Sequence, residues 1–215
     1  MKRPAIAAAM TLMLALAGAS FAQTPETASA PASEKTSKSE VSLNIEGLYT
    51  KNASDAFIAT TTTRSMGVKA SYAYYLSSFG GVEVDYGRSR FSNNFTSVST
   101  GTIGEIQSNV NEVGLAYINR FEKGHKFSPF VTVGGAWIIF SPTSSATSVL
   151  SDVQQQMRSA FTYGGGLDYN LNKHFSLRAA YRGMIYRSPD LNSTYLVYTA
   201  KTHTAEPSVG VVYRF

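Results

Sequence analysis

The sequence predicts an all-β fold in which eight antiparallel strands close as an up-and-down transmembrane β-barrel. Three observations predict it. From Val41 to Phe215 the chain repeatedly alternates two residue classes along runs bounded by Gly, Asn, Ser and Pro, the pattern of strands with two different faces. The links between those runs alternate between short and long. When faces are assigned, apolar residues gather on one side and charged residues on the other, as expected of strands that meet lipid outside and polar side chains inside.

Ahead of the strands, Lys2 and Arg3 precede an apolar run from Ala5 to Leu16 that ends in small residues, with Ser20-Phe21-Ala22 as a cleavage site. Residues 1–22 are therefore expected to be a signal peptide, and the exported chain to start at Gln23. Residues 23–40 (Thr24 to Glu40 read TPETASAPASEKTSKSE) offer almost nothing to bury and are expected to form a flexible periplasmic lead-in. The barrel is expected over 41–215.

The eight strands are expected at Val41 to Lys51, Thr63 to Leu76, Gly80 to Phe91, Ile106 to Arg120, Phe127 to Phe140, Arg158 to Asn170, His174 to Arg187 and Thr202 to Phe215. Most reach the roughly 9 to 11 residues that a tilted strand needs to cross a bilayer. Short links fall at Ser77 to Phe79, Phe121 to Lys126 and Leu171 to Lys173. Long polar links fall at Asn52 to Thr62, Ser92 to Glu105, Ser141 to Met157 and Ser188 to Lys201, with a short rim helix expected over Val149 to Met157. Short periplasmic turns and long outer loops segregate in this way in outer-membrane barrels; a soluble sandwich has no reason to sort them.

The last strand sends Val209, Val211, Tyr213 and Phe215 outward, with Glu206, Ser208, Gly210, Arg214 and the apolar exception Val212 inward. The seventh sends Phe175, Leu177, Ala179, Tyr181 and Ile185 out against Arg178, Arg182 and Tyr186. Repeated over all strands, this places Glu46, Lys69, Glu83, Asp85, Glu112, Arg120, Asp168, Arg178, Arg182, Glu206 and Arg214 in the lumen. An eight-stranded barrel is just wide enough for side chains to fill, so these groups are expected to pair as a structural charge network. A narrow ion path through rearranged pairs is the alternative. Gly114, Gly134, Gly164, Gly166 and Gly210 point inward and are expected to make room for the large Arg side chains. Aromatic residues, 12% of the chain, suggest a periplasmic girdle (Tyr74, Phe121, Phe127, Tyr169, Phe175, Tyr213, Phe215) and an outer one (Tyr49, Trp137, Phe140, Phe161).

Composition narrows the chemistry. The net charge of +5 falls to +3 without Lys2 and Arg3, and no Lys/Arg cluster tracks phosphates, so no nucleic-acid partner is expected. The absence of cysteine excludes disulfides, thiolate metal sites and a lipoprotein anchor. A lipid hydrolase or acyl transferase would need a nucleophile, a base and a group orienting the base. Of the three histidines, His125 and His174 belong to short turns, while His203 takes lipid-side parity with no Ser-His-acid spacing. Glu83 and Asp85 share a face and could together hold calcium, yet lumen Lys and Arg are the better partners. No cofactor, no metal and no enzymatic activity are expected.

The stretches FTYGGGLDYNLNKHFSLRAAYRG (Phe161 to Gly183), EPSVGVVYRF (Glu206 to Phe215) and, more loosely, FSPFVTVGGAW (Phe127 to Trp137) resemble the corresponding strands of OmpA-like outer-membrane β-barrel domains. The resemblance implies residence in the outer membrane and a C-terminal strand, Val209, Val211, Tyr213 and Phe215, read by the barrel-assembly machinery. The sequence stops at Phe215, so the expectation is the barrel without the peptidoglycan-binding domain of full-length OmpA-type proteins. Such barrels serve structural, adhesive and ligand-contact roles. The expectation here is a monomeric, non-enzymatic barrel that contributes to envelope structure. Its partners would be outer-membrane lipid and a surface ligand held by long loops carrying Phe57, Phe95, Tyr195 and Tyr198. A surface adhesin, a narrow pore and a lipid-modifying enzyme are the alternatives.

Overall fold

The computed structural model describes residues 38–54, 58–62, 64–97, 101–121, 126–145, 154–189 and 201–215. All regular structure among them is strand: β1 (Ser39–Thr50), β2 (Ala53–Ser54), β3 (Ile58–Thr62), β4 (Ser65–Tyr75), β5 (Gly80–Ser97), β6 (Gly101–Arg120), β7 (Phe127–Ser145), β8 (Gln156–Asn170), β9 (Phe175–Arg187) and β10 (Lys201–Arg214). Eight of these, β1 and β4 to β10, pair antiparallel with their neighbours and close on themselves: β10 lies beside β1, β1 beside β4, and β5 beside β6. Closure leaves no edge with unpaired backbone groups, the condition for a sheet to exist in hydrocarbon.

The expected strands are all present, and β5, β6, β7 and β8 run further at their long-loop ends than expected. β5 and β6 continue past Phe91 and start before Ile106, pairing Asn93 with Ile106 and Ser97 with Gly101. β7 reaches Ser145 rather than Phe140. In the first long link, β2 and β3 form a small hairpin, and β3 pairs with the upper part of β5 (Thr62 with Asn93) just where β4 (Gly67 with Ser89) leaves off. The rim helix is contradicted at its end, since Gln156 and Met157 belong to β8; residues 149–153 lie outside the described residues. At the other end of the barrel the turns are tight. Leu76 and Ser77 donate to the Gly80 carbonyl, and Leu171 and Asn172 to that of Phe175, while the Asn172 side chain accepts from the backbone N–H of His174 and Phe175.

The seam between first and last strands holds one register from Glu40–Arg214 to Thr50–Thr204. Lys51 N–H donates to His203 O at 2.8 Å, so the hydrogen-bonded pairs of this seam fall on odd residues of β1. Gly47 then meets Pro207, which has no N–H to give, and the ladder is interrupted there.

Faces follow the expected parity. Leu43, Ile45, Val68, Leu115, Val131, Val133, Trp137, Phe161, Leu177, Tyr181, Ile185, Val209 and Val211 are exposed on the outside, and Val212 is fully buried inside. An aromatic belt is present at the short-turn end: Phe127 packs on Tyr169 with centroids 5.2 Å apart, Phe175 on Tyr213 at 5.0 Å, and Tyr213 on Phe215 at 5.9 Å. Phe140 corrects the outer girdle. It is wholly buried in the lumen, 6.1 Å from the Tyr186 ring, because its even number in β7 gives it the parity of Ile138 and Ala136.

Candidate functional site

Inside the barrel the side chains form layers. Towards the long-loop end lie Leu48, Ile106, Val110, Ile138, Phe140, Met184 and Tyr186, with Tyr186 Oη 3.0 Å and Thr50 Oγ1 2.8 Å from Thr204 Oγ1. Below this largely apolar layer come two groups of charges.

The upper group centres on Arg182 of β9. Its guanidinium pairs with Asp85 of β5 at 3.0 Å, Glu206 of β10 at 2.7 Å and Glu112 of β6. Lys69 of β4 reaches Glu46 at 2.7 Å and Glu206 at 3.3 Å. Four carboxylates thus share two cations. The lower group, towards the short turns, gathers Arg120, Arg178 and Arg214 around two carboxylates. Asp168 accepts from Arg120 at 2.7 Å, from Arg178 Nε at 2.8 Å and from Arg214 at 3.0 Å. Glu40 takes Arg120 and Arg178 at 2.9 Å each, Arg214 at 3.4 Å and the Tyr75 hydroxyl at 3.1 Å. Glu83 lies 3.5 Å from Arg178. Flat faces of the guanidiniums rest on rings, Arg178 over Phe130 at 4.5 Å and Arg120 over Tyr75 at 5.1 Å, so charge is packed as well as paired. Between the groups is a cavity of about 40 Å³ bounded by Asn44, Ser71, Thr132 and Ser208 among others.

All eleven lumen residues read from the sequence therefore meet in these two groups. Glu40 was missed, because it sat inside the polar lead-in. The signal that finds it is parity: Glu40, Ser42, Asn44 and Glu46 alternate with Val41, Leu43 and Ile45, and β1 begins two residues ahead of Val41. The inward glycines stand beside arginines, carboxylates and a ring: Gly164 lies opposite Arg182 and Gly210 opposite Arg178. Gly67 lies opposite Glu46, Gly87 opposite Glu112 and Gly114 opposite Asp85. A Cβ on Gly114 would collide with the Asp85 carboxylate, and one on Gly166 would lie 2.7 Å from the Phe130 ring under Arg178.

The C-terminal residues Val209, Val211 and Tyr213 are exposed on the outer face, and Phe215 N–H donates to Ser39 O at 3.1 Å. His203 lies on the outer face, its Nε2 2.8 Å from Tyr163 Oη, and His174 Nδ1 is 2.9 Å from the Arg214 carbonyl. The expected signal peptide, the expected lead-in up to residue 37, His125, Phe57, Tyr195 and Tyr198 lie outside the described residues, and only the backbone of Phe95 is described.

Solved structures share this architecture. OprG of Pseudomonas aeruginosa aligns with a TM-score of 0.60 at 15% identity over 84% of this chain and 97% of that one. Neisserial surface protein A aligns with a TM-score of 0.53 at 17% identity (82% and 97%). The outer membrane protein AlkL, determined in lipid bilayers, aligns with a TM-score of 0.51 at 19% identity (90% and 97%). A search of curated proteins finds no match. Identities this low speak for the fold alone. A family model described as outer membrane protein beta-barrel domain matches residues 11–215, and the chain belongs to that family and resides in the outer membrane.

Proposed function

We propose that the protein is a non-enzymatic scaffold of the outer membrane, a closed barrel that contributes to envelope integrity and carries its recognition surface on the long-loop side. The observation that carries this reading is the Arg182 hub. One side chain ties β9 to its neighbour β10 and, across the lumen, to β5 and β6, and the Arg178 group repeats such a tie below it. Pairs that fill the interior of so narrow a barrel hold its wall together. In this reading residues 1–22 are removed on export, residues 23–37 form the lead-in, and Val209, Val211, Tyr213 and Phe215 present the assembly signal.

The test begins with boiled and unboiled gel migration of protein extracted from purified outer membranes, followed by planar-bilayer recordings and incubation with lipid A. A boiling-dependent shift, no discrete conductance steps and unchanged lipid A are the expected results. Discrete steps would replace the scaffold by a pore, and altered lipid A would replace it by an enzyme.

Surface adhesion is the second reading, favoured by the continuation of β5 and β6 as a paired ladder out to Ser97 and Gly101. A stiff hairpin presents contact residues at lower entropic cost than a mobile loop. Saturable binding of the purified barrel to a cell surface, lost when residues 94–105 are replaced by a two-residue turn, is what adhesion requires.

A further inference from the structure

The outward row of β5 changes character along its length. Val82, Val84 and Tyr86 are followed by Arg88 and Arg90, and on β6 Tyr117, Leu115 and Val113 are followed by Asn111 and Asn109. Tyr86 pairs with Val113, Arg88 with Asn111 and Arg90 with Asn109, so both strands turn polar at the same step. Outward rows of membrane strands change in this way where hydrocarbon gives way to headgroups.

The neighbouring strands do not follow. Val68 of β4, opposite Arg88, and Ile45 of β1, opposite Val68, remain apolar and exposed, as does Met66. Here the outer wall holds a shallow groove of about 490 Å³ with Ile45, Met66 and Val68 on one side and Arg88, Arg90 and Asn109 on the other. Arg90 is oriented by donating to the Gln107 side chain. Among the described residues no carboxylate pairs with Arg88 or Arg90. Two guanidiniums on one strand face, about 7 Å apart along the strand, suit the oxygens of a phosphate.

We infer that this groove seats a phosphorylated lipid of the outer leaflet, its phosphate on Arg88 and Arg90 and an acyl chain along Val68, Met66 and Ile45. The charge excludes a cationic occupant, and the apolar side facing the bilayer favours a lipid over a soluble anion. The inference rests on placement in the outer membrane and is independent of whether the lumen conducts.

The test uses the full chain recovered from outer membranes, reconstituted in phosphatidylcholine nanodiscs and offered bis-phosphorylated or dephosphorylated lipid A, with retained lipid read by native mass spectrometry. Phosphorylated lipid A is expected to be retained. The double variant R88Q/R90Q is expected to weaken retention at least about tenfold, R88K/R90K less, since lysine keeps the charge and loses the bidentate geometry. Unboiled gel migration reports that each variant is folded. Met66→Ser leaves both arginines in place and is expected to weaken retention severalfold. Equal retention of dephosphorylated lipid A, full retention by R88Q/R90Q, or no effect of Met66→Ser would each overturn the assignment. So would displacement by inorganic phosphate or heparin at concentrations matching the lipid, which would mark a soluble polyanion as the occupant.

Discussion

Arg182 and Arg178 are the side chains on which most lumen carboxylates depend. Removing Arg182 leaves the buried Asp85 and Glu112 without a cation, and removing Arg178 leaves Glu83 without one and takes one of three arginines from Glu40 and Asp168; breaking a buried pair from one side costs about 3 to 5 kcal/mol, far more than the pair's net contribution. Arg182→Ala and Arg178→Ala are therefore each expected to lower the urea midpoint in lipid vesicles by an amount of that order; an unchanged midpoint would show that the charges are wetted rather than mutually held. Gly114 offers a sharper test of packing. Its absent Cβ is the space that the Asp85 carboxylate fills, so Gly114→Val is expected to destabilise by about 1 to 3 kcal/mol. Adding Asp85→Ala should recover part of that loss, and strict additivity in the double-mutant cycle would deny the contact. The eleven charges were legible because parity alone sorts them. Which carboxylate meets which arginine was not, since many of those contacts cross the lumen between strands that are not neighbours and lie far apart in sequence, as from Asp85 to Arg182.

At the scale of elements, strands were legible wherever lipid lies on one side and packed side chains on the other, because that contrast writes the alternation. Past Phe91 and before Ile106 both faces of the β5–β6 hairpin are rich in Ser, Thr, Asn and Gly, and the pattern that announces a strand is lost although the ladder continues. Replacing residues 94–105 by Asn-Gly between Asn93 and Ile106, which already pair, is expected to preserve heat-modifiable migration and hold stability to within about 1 kcal/mol, since Ile106 and the layers beneath it are untouched. Loss of the gel shift would mean that the extension is needed for the barrel itself. Pro207 belongs to the same scale. Its missing N–H leaves the Gly47 carbonyl short of one ladder bond in the β1–β10 seam, and Pro207→Ala should restore it, raising stability by about 1 kcal/mol. A lower unfolding midpoint for Pro207→Ala would show that the proline's fixed backbone contributes more than the bond it removes.

For the molecule as a whole, the segregation of short and long links foretold both the closure and the side on which the chain ends meet, because an even number of antiparallel strands returns the chain to where it began. What the sequence did not announce is that the lumen is filled in more than one layer. An apolar layer containing Phe140 and Tyr186 lies in series with the Arg182 group and then the Arg178 group, and Phe140 had been placed in the outer girdle. Resistances in series add, so opening one layer leaves the path governed by those that remain. Phe140→Ala removes the largest apolar side chain of the upper layer without disturbing an ion pair, and planar bilayers holding this variant are expected to stay as silent as the wild type. Discrete conductance steps appearing with Phe140→Ala would locate the barrier in that layer and would show that the ion pairs below it already let water and ions pass.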